Sequence, residues 1–129
     1  MAQVAIREYD AKRLWSVWSQ TPYSGILVET KKQVQSIATR LQSEQSLLWV
    51  VKPDQLFGKR GKHGLVGIKL DAEGVQKRCE AHWQKIVTID GITDVLHTFL
   101  IEPWIAHTQE LYVSFETHRD ADLIHLSSE

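Results

Sequence analysis

The chain has 129 residues, enough to build one domain around a sizeable core and too few for two. Apolar residues make up 43% and charged residues 24%, the balance of a globular domain, and a net charge of -1 excludes any global attraction to nucleic acid or anionic membrane, so a basic site has to be local. Cys79 is the only cysteine, which excludes an internal disulfide; no apolar run approaches the ~18 residues of a membrane span, and "MAQVAIREYD" lacks a signal-peptide core. Together these give the expectation of a cytoplasmic protein with no membrane partner.

In chain order, residues 5–19 read as a first helix. Ala11, Leu14, Trp15 and Trp18 fall at i, i+3, i+4 and i+7 and so form one face, expected to be buried. "TPYSG" breaks the pattern, and Ile26 to Glu29 reads as a short strand. Thr30 is placed to cap a second helix carrying Val34, Ile37, Ala38 and Leu41. Ser46 to Lys52 reads as a buried strand; the residue before a proline avoids helical geometry, which sets Lys52 in extended backbone at the strand's end.

Four glycines then recur every third residue (58, 61, 64 and 67), with Lys59, Arg60 and Lys62 between them. The apolar run Leu65 to Leu70 reads as the following strand. Asp71 is a second capping residue, opening a third helix whose buried stripe is Val75, Cys79, Trp83 and Ile86. "TFLIEPWI" reads as a strand interrupted by Pro103. "ELYVSFETH" alternates apolar and polar positions, "RDAD" is a polar turn, and "LIHLSSE" is the returning strand of a hairpin. The order α-β-α-β-β-α-β-β-β describes an α+β domain with a mixed or antiparallel sheet, and residues 1–129 form a single unit.

Glycine allows positive φ and close approach of backbone N–H groups to an anion. No acidic residue lies between Gln55 and Leu70 to cancel the cations of the loop. The pattern is not a P-loop, which needs G-x-x-x-x-G-K-[ST] opening into a helix, nor the G-x-G-x-x-G of a dinucleotide fold. A solvated hairpin tip is the plain alternative. Lys52 tilts the balance, because a lysine ending an apolar strand sets one charge in whatever cleft the loop covers.

The segments "VVKPDQLFGKRGKHGLVGIKL" and "FLIEPWIAHTQELYV" resemble the ATP-grasp region of the ADP-forming acyl-CoA ligases, and within them the ATP-citrate lyases. "REYDAKRL" is similar to the opening helix of the succinyl-CoA synthetase β subunit. The resemblance implies an incomplete ATP-grasp domain: the first lobe plus the start of the second. It implies an enzyme that uses ATP and CoA to convert citrate to acetyl-CoA and oxaloacetate, through phosphohistidine, citryl-phosphate and citryl-CoA. Carried over by motif, Lys52 contacts an ATP phosphate, and Arg60 and Gly61 belong to the loop over the nucleotide. Pro103 and Ile105 line the adenine edge through their backbone, and Glu110 reaches the ribose hydroxyls. The Mg²⁺ ligands, the phosphohistidine, the CoA site and the cleavage module lie beyond Glu129, so the resemblance implies a fragment that is not catalytic alone, joined to remaining parts or subunits of a hetero- or homo-oligomer.

Other chemistry is weaker. His97, His107, His118 and His125 have no metal-type spacing with one another or with Cys79, and His63 is read as incidental to its loop. Cys79 reads as a small core residue, and the tryptophans mostly fall on faces expected to be buried. Trp104, in the hinge segment, is the one with a candidate ligand contact. Two alternatives stay open: the nucleotide-binding lobe of a succinyl-type ligase, and an assembly module without catalysis. A nucleic-acid role for the loop lacks interleaved aromatics apart from Phe57.

Overall fold

In the computed structural model, residues 4–44, 47–57 and 60–128 are described. Among the described residues, three α-helices, α1 (Glu8–Ser19), α2 (Lys31–Leu41) and α3 (Ala72–His82), accompany eight strands. The strands are β1 (Ile26–Val28), β2 (Trp49–Pro53), β3 (Gly67–Leu70), β4 (Ile86–Ile89), β5 (Ile92–Val95), β6 (Phe99–Pro103), β7 (Leu111–Thr117) and β8 (Asp122–Ser128). The main sheet has the order β1-β6-β2-β3 and every neighbour pair is antiparallel. Two separate hairpins, β4-β5 and β7-β8, complete the described structure. No helix among the described residues is long and apolar enough to cross a membrane.

Local sequence explains the helix starts. Thr30 accepts from the Gln33 backbone while the Gln33 side chain accepts from the Thr30 N–H, a reciprocal capping box. Asp71 accepts from Gly74 N at 2.7 Å and caps α3. Val34, Ile37 and Leu41 of α2 and Val75 and Cys79 of α3 are buried, and the two helices pack on each other and, through α3, on β2 and β3. Burial alternates along β2: Trp49, Val51 and Pro53 are inside, whereas Val50 and Lys52 are half-buried on the other face. The register pairs Lys52 with Leu100 and Val50 with Glu102. Lys52 and Glu102 are therefore diagonal neighbours on the face away from the helical layer.

Several expectations are corrected. The Leu14, Trp15 and Trp18 face of α1 is not buried; no residue of that helix is, and Trp18 is 76% exposed. The helical spacing is real, but α1 meets the rest of the domain through its polar side. Ile86 lies outside α3, because the helix ends at His82 and Gln84 turns with φ 60° into the unexpected hairpin β4-β5. Asp90 and Gly91, with φ 51° and 80°, form its tight turn. The strand after the glycine loop is shorter than the run Leu65 to Leu70, and β6 continues through Pro103, which still pairs with Trp49. Ser46, where the buried strand was expected to start, and Gly58 and Lys59 of the glycine loop lie outside the described residues.

Candidate functional site

A cleft of about 500 Å³ opens on the Lys52 face of the sheet. Pro22, Val50, Pro103, Trp104 and Ile105 supply apolar wall; Lys12, Lys52 and Glu102 supply charge, and Tyr23 and His107 complete the rim. Three of the expected site residues, Lys52, Pro103 and Ile105, thus share one cavity. Arg60 lines a neighbouring cavity with Glu8, and Gly61 is exposed at the turn of the loop. Glu110 stands outside the cleft but its carboxylate contacts the cleft residue His107, 2.6 Å from Nε2.

Charges converge on the floor from α1, β2, β6 and the glycine loop. Glu8 Oε1 accepts from Lys52 Nζ and, at 2.7 Å, from Lys12 Nζ; its Oε2 accepts from Arg60 at 2.6 Å. Glu102 receives Lys12 at 2.6 Å and Lys52 at 2.8 Å, and the Tyr23 hydroxyl donates to it at 2.9 Å. Arg60 also donates to the Pro53 carbonyl. Among the described residues, Lys12 and Lys52 each pair with both Glu8 and Glu102, and Arg60 pairs with Glu8 alone. Burial pushes both carboxylates up, yet the hydrogen bonds from lysine and arginine outweigh it and hold Glu8 at about 2 and Glu102 below its ordinary range. Burial drags the Lys12 ammonium down, and its two carboxylate partners more than restore it. Tyr23 is pushed up by burial and by donating to Glu102, so it stays a neutral donor.

The local chain explains these positions. A Cβ at Gly25 would lie 2.2 Å from the Tyr23 hydroxyl oxygen, so glycine there leaves room for the ring to fold back and reach Glu102. The first turn of α1 has no side-chain cap at Arg7; instead Asp54, fully buried just after Pro53, accepts from Tyr9 N through both oxygens at 3.3 and 3.4 Å. That bond seats Glu8 beside Lys52. In the glycine loop, Gly64 takes φ +67° and closes a turn with Gly61, Leu65 N donates to Arg60 O, and Arg78 of α3 donates to the Gly64 carbonyl. Beside Pro103, Trp104 N donates to Leu48 O, and Ile105 O is bonded to His107. The Trp104 ring carries the Lys69 ammonium 4.8 Å from its centroid.

Residues 2–129 match the family model described as the ATP-citrate synthase ATP-grasp domain. The chain belongs to this family. It is 39% identical over 125 residues to ATP-citrate synthase alpha chain protein 3 of Arabidopsis thaliana, which covers 92% of the chain and 30% of that protein. Human ATP-citrate synthase is 42% identical over 77 residues, 58% of the chain and 7% of its own length. The structure of ATP citrate lyase from Methanothrix soehngenii, in complex with citrate and coenzyme A, superposes with a TM-score of 0.83 at 36% identity, over 98% of this chain and 32% of that one. This ATP-grasp chain therefore spans about a third of the length of the Arabidopsis alpha chain and of the Methanothrix enzyme chain.

Sequence reasoning missed Glu8, Lys12, Tyr23, Glu102 and His107. Glu8 and Lys12 stand four apart on the polar side of α1, a spacing that was visible but reads as an ordinary exposed pair. Glu102 directly precedes Pro103, and nothing in its spacing marks it from the strand residues around it.

Proposed function

We propose that this ATP-grasp chain is the nucleotide-gripping lobe of an ATP-citrate lyase. The observation that carries the reading is the cleft itself, which sets an apolar slot of Val50, Pro103, Trp104 and Ile105 beside the ammonium groups of Lys12 and Lys52. A purine fits the first and a polyphosphate the second. Lys52 takes a phosphate oxygen, and Arg60 and Gly61 bring the loop toward the same anion. The Pro103–Ile105 main chain follows the adenine edge, and Glu110, freed from His107, accepts from the ribose hydroxyls. Magnesium accompanying ATP draws its ligands from groups beyond this chain, since Glu8 and Glu102 are already bonded to lysines. In the whole enzyme the lobe positions ATP for phosphorylation of a histidine. Citryl-phosphate, citryl-CoA and finally acetyl-CoA and oxaloacetate form in the remaining parts or subunits.

Photolabelling with 2-azido-ADP tests the orientation. Label is expected on the peptide containing Trp104 to His107 and is expected to be competed by ATP. Label confined to α2 and α3, on the other face of the main sheet, would overturn the assignment.

A further inference from the structure

The lysine expected to grip a phosphate is already occupied by an anion. Lys52 Nζ touches Glu8 and, at 2.8 Å, Glu102, and its side chain is only 16% exposed. A phosphate reaching Lys52 has to share it with these carboxylates or displace one of them. The two are not equivalent. Glu102 belongs to β6 at the centre of the main sheet, fixed by the ladder to β2 and by the Tyr23 hydroxyl. Glu8 is carried on the first turn of a helix with no buried residue, docked through the Asp54–Tyr9 hydrogen bond and through ion pairs to Glu102, Lys52 and Arg60. Moving the Glu8 carboxylate away from Lys52 therefore exposes no apolar core.

Resting on the phosphate-grip reading above, we propose that Glu8 is the internal counter-anion of this cleft, an autoinhibitory contact that an incoming phosphate displaces from Lys52 and that thereby sets the affinity of the site for anions. Every cation that Glu8 holds has a second partner. Lys52 and Lys12 both keep Glu102, and Arg60 keeps the Pro53 carbonyl. Loss of the Glu8 charge strands none of them: among the described residues, Lys12 and Lys52 then face Glu102 alone, and Arg60 keeps the Pro53 carbonyl. The cluster around Lys52 then carries one negative charge fewer. The burial and bonding that hold Glu8 at about 2 keep it ionised across the neutral range, so the block is present at neutral pH. After displacement from Lys52, Glu8 retains Arg60 and Lys12, and it remains the group that returns Lys52 to its resting position when the phosphate leaves.

The probe is inorganic tripolyphosphate, titrated calorimetrically into the 129-residue chain, Glu8→Gln and Lys52→Ala at low ionic strength. Glu8→Gln is expected to bind about tenfold tighter than the original chain, with the gain shrinking at high salt as surface charges are screened. A purely structural role for Glu8 cannot raise affinity. Equal or weaker binding by a folded Glu8→Gln, while the original chain binds and Lys52→Ala does not, overturns this inference and leaves the phosphate grip standing. Failure of the original chain to bind tripolyphosphate overturns both. Should Glu8→Gln not fold by circular dichroism, Glu8→Asp replaces it: the shorter side chain withdraws the carboxylate from Lys52, binding is expected to tighten about threefold on the same Coulombic argument, and unchanged or weaker binding contradicts the proposal.

Discussion

Asp54 is a single side chain on which the geometry of the cleft depends, and replacing it by alanine measures that dependence. Its carboxylate is fully buried and accepts from Tyr9 N, a group 45 residues away in sequence, while its own N–H is tied to Thr98 O. Only the first of these bonds is lost in Asp54→Ala. Tyr9 N is then an unpaired, part-buried donor at the start of a helix that has no cap of its own. The loss combines a helix cap, worth about 1 kcal/mol, with the desolvation cost of an orphaned donor; the long, shared geometry of the bond keeps the total at about 2 kcal/mol. An unfolding entropy of about 2.1 cal/mol/K per residue converts this into a Tm about 7 °C lower for 129 residues. Asp54→Asn keeps one acceptor oxygen, and because burial pushes the Asp54 carboxyl up, surrendering its charge is cheap. The asparagine variant is therefore expected to lose about half as much. Scanning calorimetry supplies the Tm values, and hydrogen exchange at the amides of α1 shows whether the loss is local. A Tm for Asp54→Ala within about 1 °C of the original, with unchanged protection of α1, would refute the claim that Asp54 anchors this helix.

Acid stability tests the charge cluster. Glu8 is depressed from 4.5 to about 2, so its stabilising contribution is complete above 4.5 and is lost as pH falls toward 2, to a limit of about 3 kcal/mol. Urea midpoints taken at about pH 6 and about pH 3.5 should fall further for the original chain than for Glu8→Gln, and identical slopes would exclude the assignment. Thr30→Ala removes the capping box of α2 and is expected to cost about 1 kcal/mol in urea denaturation; a change under about 0.3 kcal/mol would show that the box adds nothing. Cys79 is fully buried and burial pushes its thiol up to about 12, so a disulfide reagent should label it only at the rate of unfolding, and rapid native-state labelling would contradict its place in the core.

The parts of the fold readable from sequence were those governed by local chemistry. Thr30 and Asp71 cap the helices they were expected to cap, and Val34, Ile37 and Leu41 are buried at helical spacing. The spacing of Leu14, Trp15 and Trp18 showed a helix but not what faces it, because periodicity reports that a stripe exists and tertiary packing decides which stripe is covered. The hairpin β4-β5 was hidden by Ile86 completing an apparent helical stripe, although Asp90-Gly91 carried the turn signal. In the site, the position of Lys52 was legible because it follows an apolar run and precedes a proline, although β2 continues through Pro53. Glu8 and Glu102 were not, since their roles come from side chains far apart in sequence meeting at two ammonium groups.

The central claim is that Lys52 holds a nucleotide phosphate in this cleft, and a calorimetric titration of the chain with Mg-ADP, repeated on Lys52→Ala, tests it most directly. The account predicts saturable binding that weakens at least about tenfold in the alanine variant, the loss of a charge-assisted bond to phosphate. Equal affinity for Mg-ADP in a folded Lys52→Ala, or no saturable binding by the folded original chain, would contradict it.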